Sequence, residues 1–416
     1  AVIYFLIQEM SLVNPMYQIS LNQFLGKFYE SIETAEKDNF PKKRIENIIN
    51  TLTKICWAYI VRGLYEKDKL LFCLQLALKI EMSLPQEMNP IDFNDYQTYI
   101  KAAAALAPGA AANVDDPLDP IFEPVRDNIV ALSQLNSLRG LIGHISASPG
   151  EWSKLMTSAT PEEDPLPNFG QSKPEDVRPF QRAVIIRSLR PDRALFASKK
   201  YICEFLGKEY IEFPNVQMDQ IAIEAGNKSP VIFLLSPGSD PTPLVEEAAK
   251  KAKKELNTVS MGQGREEFAE NFINHSKAKG EWVLLQNCHL GLKYMATLFE
   301  KYKADQLAEQ TNAKEEENKE GEAKPDQAKK PADKNKEAVK QTHEDYRLWI
   351  TTEVHPKFPV SLLQLSLKLT NEPPAGAKAS MKRTFNSITQ QMIDTVESPE
   401  WHRLIWILAF FNTTVH

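Results

Sequence analysis

Three short apolar runs recur along the second half of this chain, Val231–Leu235, Trp282–Leu285 and Arg347–Thr351, with helical patterns between them over Leu244–Leu256, Arg265–Lys277 and Gly291–Tyr302. A strand that reaches its neighbour through a helix lies parallel to it, so the repeated strand, loop, helix unit predicts an α/β domain with a mainly parallel sheet. The first hundred residues follow another period. Apolar residues recur at helical spacing at Ile45, Ile48, Ile49, Leu52, Ile55, Cys56 and Tyr59 and again from Leu64 to Ile80, with Pro15, Pro41 and Pro85 at the breaks, which predicts helices. A second helical stretch over Val125–Ile145, a proline-rich connector over Ser158–Pro179 and a helix over Phe180–Leu189 complete the expected order.

The ends of the strands carry the functional information. In a phosphate loop a strand runs into GxxxxGK[ST]: glycines let backbone N–H groups close on phosphate, the Lys neutralises its oxygens, and the Ser or Thr holds magnesium. Laid on that pattern, the segment after Val231–Leu235 has Ser236 for the first Gly, Thr242 for the Lys and Pro243 for the magnesium ligand, with Gly238, Ser239 and Asp240 between. A second strand should end in an Asp-Glu pair, one carboxylate to orient the metal and one to activate water. Here it ends in Gln286-Asn287. Amides keep the shape of carboxylates but lend neither charge to magnesium nor a base to water. Thr351 and Thr352 end the third strand, where a γ-phosphate sensor would stand; with no phosphate to read, their hydroxyls are expected to serve local backbone groups. The residues thus predict a nucleotide core with its chemistry removed: no catalytic residue, no metal and no cofactor of its own.

Other conspicuous residues have structural readings. Gly238 is expected in a tight strand-to-helix turn, with Asp240 capping the next helix and Pro243 or its neighbours starting it. Cys288-His289 has the residue types of a thiolate–imidazole pair, yet neighbours on an extended strand point to opposite faces. Cys288 is therefore expected in the core and His289 hydrogen-bonded at the strand end. Met261-Gly-Gln-Gly264 lacks the third glycine of a dinucleotide loop and predicts a turn with positive φ. Arg187, Arg190 and Arg193 suit either a contact with a neighbouring module or a solvated helix face. Tyr17, Phe24 and Phe28 fall on an apolar stripe expected in the core.

Composition excludes several classes. A formal charge of -6 over 416 residues argues against a nucleic-acid partner. Four cysteines without CxxC spacing argue against structural zinc or a disulfide framework and for a reducing, intracellular compartment. The apolar run Ala1–Ile7 meets Gln8 and Glu9 too soon for a membrane span. It lacks an initiating Met, and the chain stops within an apolar helix pattern from Trp401 to Val415, so a fragment of a longer protein is expected. Residues 304–342 are rich in Lys, Glu and Ala without an aromatic residue, which predicts a disordered or transiently helical charged insertion.

These runs, in this order, resemble the C-terminal part of the motor domain of dynein heavy chains. Asn14–Leu21 and Arg62–Phe72 look like the helical region that follows the fifth AAA module; Ile186–Arg193, Leu235–Pro241, Trp282–Leu290, and Phe358-Pro-Val-Ser through Thr370-Asn-Glu-Pro-Pro374 look like the sixth. Ser260–Gly264, Gln286–Leu292, Trp349–Glu353, Leu367–Pro374 and Lys382-Arg-Thr-Phe385 are similar to axonemal outer-arm heavy chains of the gamma type. The charged insertion and the alanine-rich Ala102–Ala112 depart from the family pattern.

The resemblance implies an organisation and a role. Residues 1–150 would form the helical region ending the fifth module. Residues 151–303 and 343–390 would form an α/β sixth module, a degenerate P-loop AAA+ core, with 304–342 inserted and 391–416 beginning a truncated helical lid. The parent would be a microtubule-motor ATPase of the cytoskeleton and of the axoneme in cilia and flagella, with ATP and magnesium at other modules. Its partners would be the neighbouring modules, intermediate and light chains, and microtubules. This stretch would be a non-hydrolytic, mechanical part of the ring. Two other readings stay open: a P-loop ATPase in its own right, and a soluble scaffold that recruits partners through the charged insertion.

Overall fold

A computed structural model describes residues 2–85, 91–105, 118–169, 177–213, 216–262, 264–305, 342–372, 376–388, 390–396 and 398–415. Helices come first: α1 (Val2–Val13), α2 (Leu21–Thr34), α3 (Pro41–Val61), α4 (Glu66–Met82), α5 (Phe93–Lys101), α6 (Arg126–Ser133), α7 (Leu141–Ala147), α8 (Pro149–Thr157), α9 (Pro179–Leu189), α10 (Ala194–Phe205) and α11 (Met218–Ala225). Strands and helices then alternate as β1 (Val231–Leu235), α12 (Thr242–Lys251), β2 (Leu256–Ser260), α13 (Glu266–Lys279), β3 (Trp282–Gln286), α14 (292–305), β4 (Arg347–Glu353), α15 (Val360–Leu365) and β5 (Leu367–Asn371). Helices α16 (Ala377–Ser387), α17 (Gln390–Ile393) and α18 (Pro399–Val415) follow. Among the described residues no helix is long and apolar enough to cross a membrane.

The five strands form one all-parallel sheet in the order β2-β3-β4-β1-β5. All five residues of β1 are buried, as are Trp282–Leu285 of β3 and Leu348–Thr352 of β4, as expected of parallel strands covered on both faces. Three strands are legible as apolar runs, and two are not. Leu256 was expected to end a helix and instead opens β2, because α12 stops at Lys251 and the chain turns through a left-handed Lys253 (φ 55°). β2 is an edge strand whose Asn257, Thr258 and Ser260 break any apolar run. In β5 the run is interrupted by Lys368, a lysine that is nonetheless buried.

The chain divides into two compact units, Ala1–Leu6 with Lys67–Pro214, and Ile7–Glu66 with Asn215–His416. A division at residue 150 follows the change in sequence period, whereas the compact units follow packing: 151–214 joins the helical unit and 7–66 joins the sheet. The reason lies at the outer edge of β5. There the Thr370 N–H donates to the Arg62 carbonyl (2.9 Å) and its hydroxyl to that of Leu64 (3.0 Å). Gln23 of α2 donates to the Ser366 carbonyl (3.1 Å), and the Tyr65 hydroxyl to the Leu235 carbonyl (3.1 Å). Glu224 of α11 accepts from Arg62 (2.6 Å) and Lys27 (2.8 Å). Burial alone would raise the Glu224 carboxyl, but these two cations hold it down at about 2. Tyr17 is buried in this unit, while Phe24 and Phe28 are half-buried.

The helical unit has its own core around Phe72, Phe122, Trp152, Phe180 and Tyr201. The expected continuous helix over Val125–Ile145 is broken between α6 and α7 by a short 3-10 turn and by Gly140 at φ 85°. The three arginines bond within this unit. Arg190 grips Asp192 and the Met156 and Ser158 carbonyls, Arg193 pairs with Glu162 over the Phe196 ring, and Arg187 donates to the Ile100 carbonyl. Ala102–Ala105 form a 3-10 turn, and the rest of the alanine-rich segment lies outside the described residues. So do residues 306–341 of the charged insertion.

Candidate functional site

Because every strand runs the same way, all five C-terminal ends meet at one edge. The connection from β1 leads to β2 at the far side of the sheet, and that from β4 leads past β1 to β5. Neighbouring β1 and β4 therefore send their chains in opposite directions, which opens the crevice where α/β sheets bind ligands. Ser236, Gln286, Thr351 and Thr352 all lie at this edge.

The segment after β1 closes on itself. Pro237 and Gly238 (φ 75°) form the middle of a turn in which the Ser239 N–H donates to the Ser236 carbonyl (3.0 Å), the pattern of a type II turn. The Ser236 N–H donates to the Asn371 carbonyl (3.2 Å), and the Thr242 N–H to Asp240 Oδ1 (2.9 Å). Pro237, Pro241 and Pro243 carry no N–H. A phosphate cradle needs successive amides aimed outward; here three of the eight positions are prolines without an N–H, and the Ser236, Ser239 and Thr242 amides already have acceptors in Asn371, Ser236 and Asp240. Helix α12 begins at Thr242 with Pro243 in its first turn, and the Asp240 carboxylate holds the first helical N–H.

The side chains at the edge are bonded to one another. Gln286 Nε2 donates to Thr242 Oγ1 (2.7 Å), which donates to Asp240 Oδ1 (2.6 Å). Thr242 and Gln286, which the sequence sets against a phosphate-loop lysine and a metal-orienting carboxylate, are thus joined by one neutral hydrogen bond, and Thr242 also bonds to the Asp240 carboxylate. Asn287, left-handed at φ 55°, donates its N–H to Thr351 Oγ1 (3.1 Å) and its amide to Ser260 Oγ (3.4 Å). Thr352 Oγ1 donates to the Glu353 carbonyl (2.9 Å). Glu372, not singled out from the sequence, accepts from the Glu66 N–H (2.6 Å) and from Ser236 Oγ (3.5 Å). Among the described residues no three His, Cys, Asp or Glu side chains converge as a metal-holding group.

Cys288 and His289 are not on an extended strand. β3 ends at Gln286, and Cys288–Leu290 form a 3-10 turn, so the expectation of opposite strand faces is corrected. The structural reading survives on other grounds: Cys288 is fully buried, burial pushes its thiol up, and His289 Nδ1 accepts from the Glu353 N–H (3.3 Å). Gly262 and Gly264 both have positive φ (119° and 76°), and Gln263 between them lies outside the described residues.

A family model for the dynein heavy chain region D6 P-loop domain matches residues 226–317 and 329–370, a span that contains β1 to β4 and all of β5 but its last residue, Asn371. Over 415 residues the chain is 37% identical to dynein axonemal heavy chain 8 of Mus musculus, covering 100% of this chain and 8% of that protein. The chain belongs to the dynein heavy chain family. It is 36% identical to the dynein gamma chain, flagellar outer arm, of Chlamydomonas reinhardtii, over 99% of this chain and 8% of the relative. Identity to the dynein-1-beta heavy chain, flagellar inner arm I1 complex, of the same organism is 29%, over 100% of this chain and 8% of the relative. This dynein heavy chain sequence thus spans 8% of the length of these curated relatives. The segment from Ser236 to Pro243 and the Gln286-Asn287 pair fall inside the matched D6 region.

Proposed function

We propose that this dynein heavy chain sequence supplies a non-hydrolytic sixth AAA module, with helices that end the fifth, to the motor ring of an axonemal outer-arm heavy chain. Its role is mechanical. The module keeps ring geometry while ATP and magnesium act at other modules of the parent, in support of microtubule-based movement of cilia and flagella. Its similarity to axonemal and flagellar outer-arm dynein chains supports the axonemal setting. Neighbouring modules of the same chain are its direct partners; intermediate chains, light chains and microtubules are reached through the parent.

One observation carries the reading: at the positions where a lysine and a metal-orienting carboxylate would stand, Thr242 and Gln286 bond to each other, beside a loop in which three of eight residues are prolines without an N–H. Triphosphate and magnesium draw most of their stabilisation from positive charge and anionic metal ligands, and neither Thr242 nor Gln286 offers a charge. Calorimetric titration of MgATP and MgADP into the folded chain tests it. Silence up to millimolar nucleotide, binding weaker than roughly 4 kcal/mol, is expected. Micromolar binding of either nucleotide would make the module a nucleotide sensor instead.

A further inference from the structure

A row of aromatic rings crosses the sheet from β1 through β4 to β3. Phe233 and Trp349 stand 5.9 Å apart between ring centres, and Trp349 and Trp282 5.3 Å. At its outer end Trp282 lines a slot of about 400 Å³ at the N-terminal edge of the sheet, away from the loops described above. That volume falls within the roughly 300–1,000 Å³ typical of ligand pockets. Small residues make the space: Ala222 on α11, and Ala248 and Ala252 on and just after α12. Ile223, 78% exposed, stands at the lip.

The charges around the slot are unevenly matched. Lys254 is bonded to Asp345 at 2.6 Å. Arg347 donates through Nε to the Ala222 carbonyl and through Nη1 to those of Glu344 (2.6 Å) and Tyr346 (2.8 Å). Among the described residues it has no carboxylate at ion-pair distance, although it is half-buried. Carbonyls satisfy its hydrogens, Asp345 favours its charge from beyond ion-pair distance while bonded to Lys254, and a partly desolvated cation still gains from one carboxylate in direct contact. Asp219 and Asp345, also lining the slot, disfavour a second.

We propose that this slot docks a short segment of a partner protein that carries an aromatic side chain beside a single carboxylate. The ring extends the aromatic row against Trp282, and the carboxylate supplies the counter-charge of Arg347. Trp and Arg are the residue types that most often anchor such interfaces.

The full chain labelled with 5-fluorotryptophan, its Trp282 fluorine signal assigned with Trp282→Phe, is titrated with three probes: N-acetyl-Asp-Phe-amide, N-acetyl-Asp-Ala-amide and N-acetyl-Lys-Phe-amide. The first is expected to shift that signal saturably, and the other two to bind at least about five-fold more weakly, the scale of one aromatic or charge contact. Ala252→Phe, at an exposed position, should fill the mouth and abolish the shift; Ile223→Ser, at the lip, should weaken it. No saturable shift up to about 10 mM, binding weaker than roughly 3 kcal/mol, overturns the proposal. So do equal affinities for all three probes, or unchanged affinity in both variants with thermal unfolding intact.

Discussion

Lys368 shows how far a single residue can depart from its sequence appearance. It is 6% exposed on β5, and its ammonium donates to the Leu363 (2.8 Å) and Ser366 (3.1 Å) carbonyls at the end of α15. Burial, and then the charge of Arg62, lowers its pKa from the usual 10.5 to about 7. Between those values the unfolded chain binds more protons than the folded one, so stability rises with pH across that window, and the penalty is full below it. Lys368→Met removes the titration. Its stability relative to the parent, from urea melts, should be greatest near about pH 6 and fall by a few kcal/mol toward about pH 10. A gap that does not change with pH would show that Lys368 titrates normally.

At the scale of elements, the strands that failed to announce themselves are the ones with polar residues. β2 hides because half its surface faces water, and β5 because Lys368 interrupts its leucines. The turn at Cys288–Leu290 hides for another reason: Asn287 ends the strand by adopting a left-handed backbone, which Asn tolerates but does not require. Helix α13 ends at a position that does require a particular residue. Gly280 caps it at φ 74°, and a Cβ there would collide with the His343 ring. Gly280→Ala therefore meets both a backbone and a packing penalty, and should destabilise the chain by about 1–3 kcal/mol in urea unfolding. An unchanged midpoint would mean that the His343 segment yields freely.

For the whole molecule, the charged segment expected as an insertion over 304–342 departs from the family model only at 318–328, and both of its flanks return to one residue of α13. The Lys277 ammonium pairs with Asp305 (2.6 Å), and the Lys277 carbonyl accepts from the His343 N–H (2.9 Å). With the flanks held there, a short Gly/Ser linker of about eight residues can join them, because loop closure depends only weakly on length. Replacing residues 306–341 in this way should leave the melting temperature within about 2 °C. A collapse of the fold would show that the insertion contributes to it, and loss of a protein partner without loss of fold would favour a scaffold.

The sequence by itself determined the α/β class and the family, because apolar runs and the motifs at the strand ends are local properties. Only the tertiary structure decided that residues 7–66 pack with the sheet, that Lys368 is buried, and that Thr242 and Gln286 satisfy each other. Each of these depends on groups distant in the chain. Whether a polar atom finds a partner is set by what the fold brings beside it.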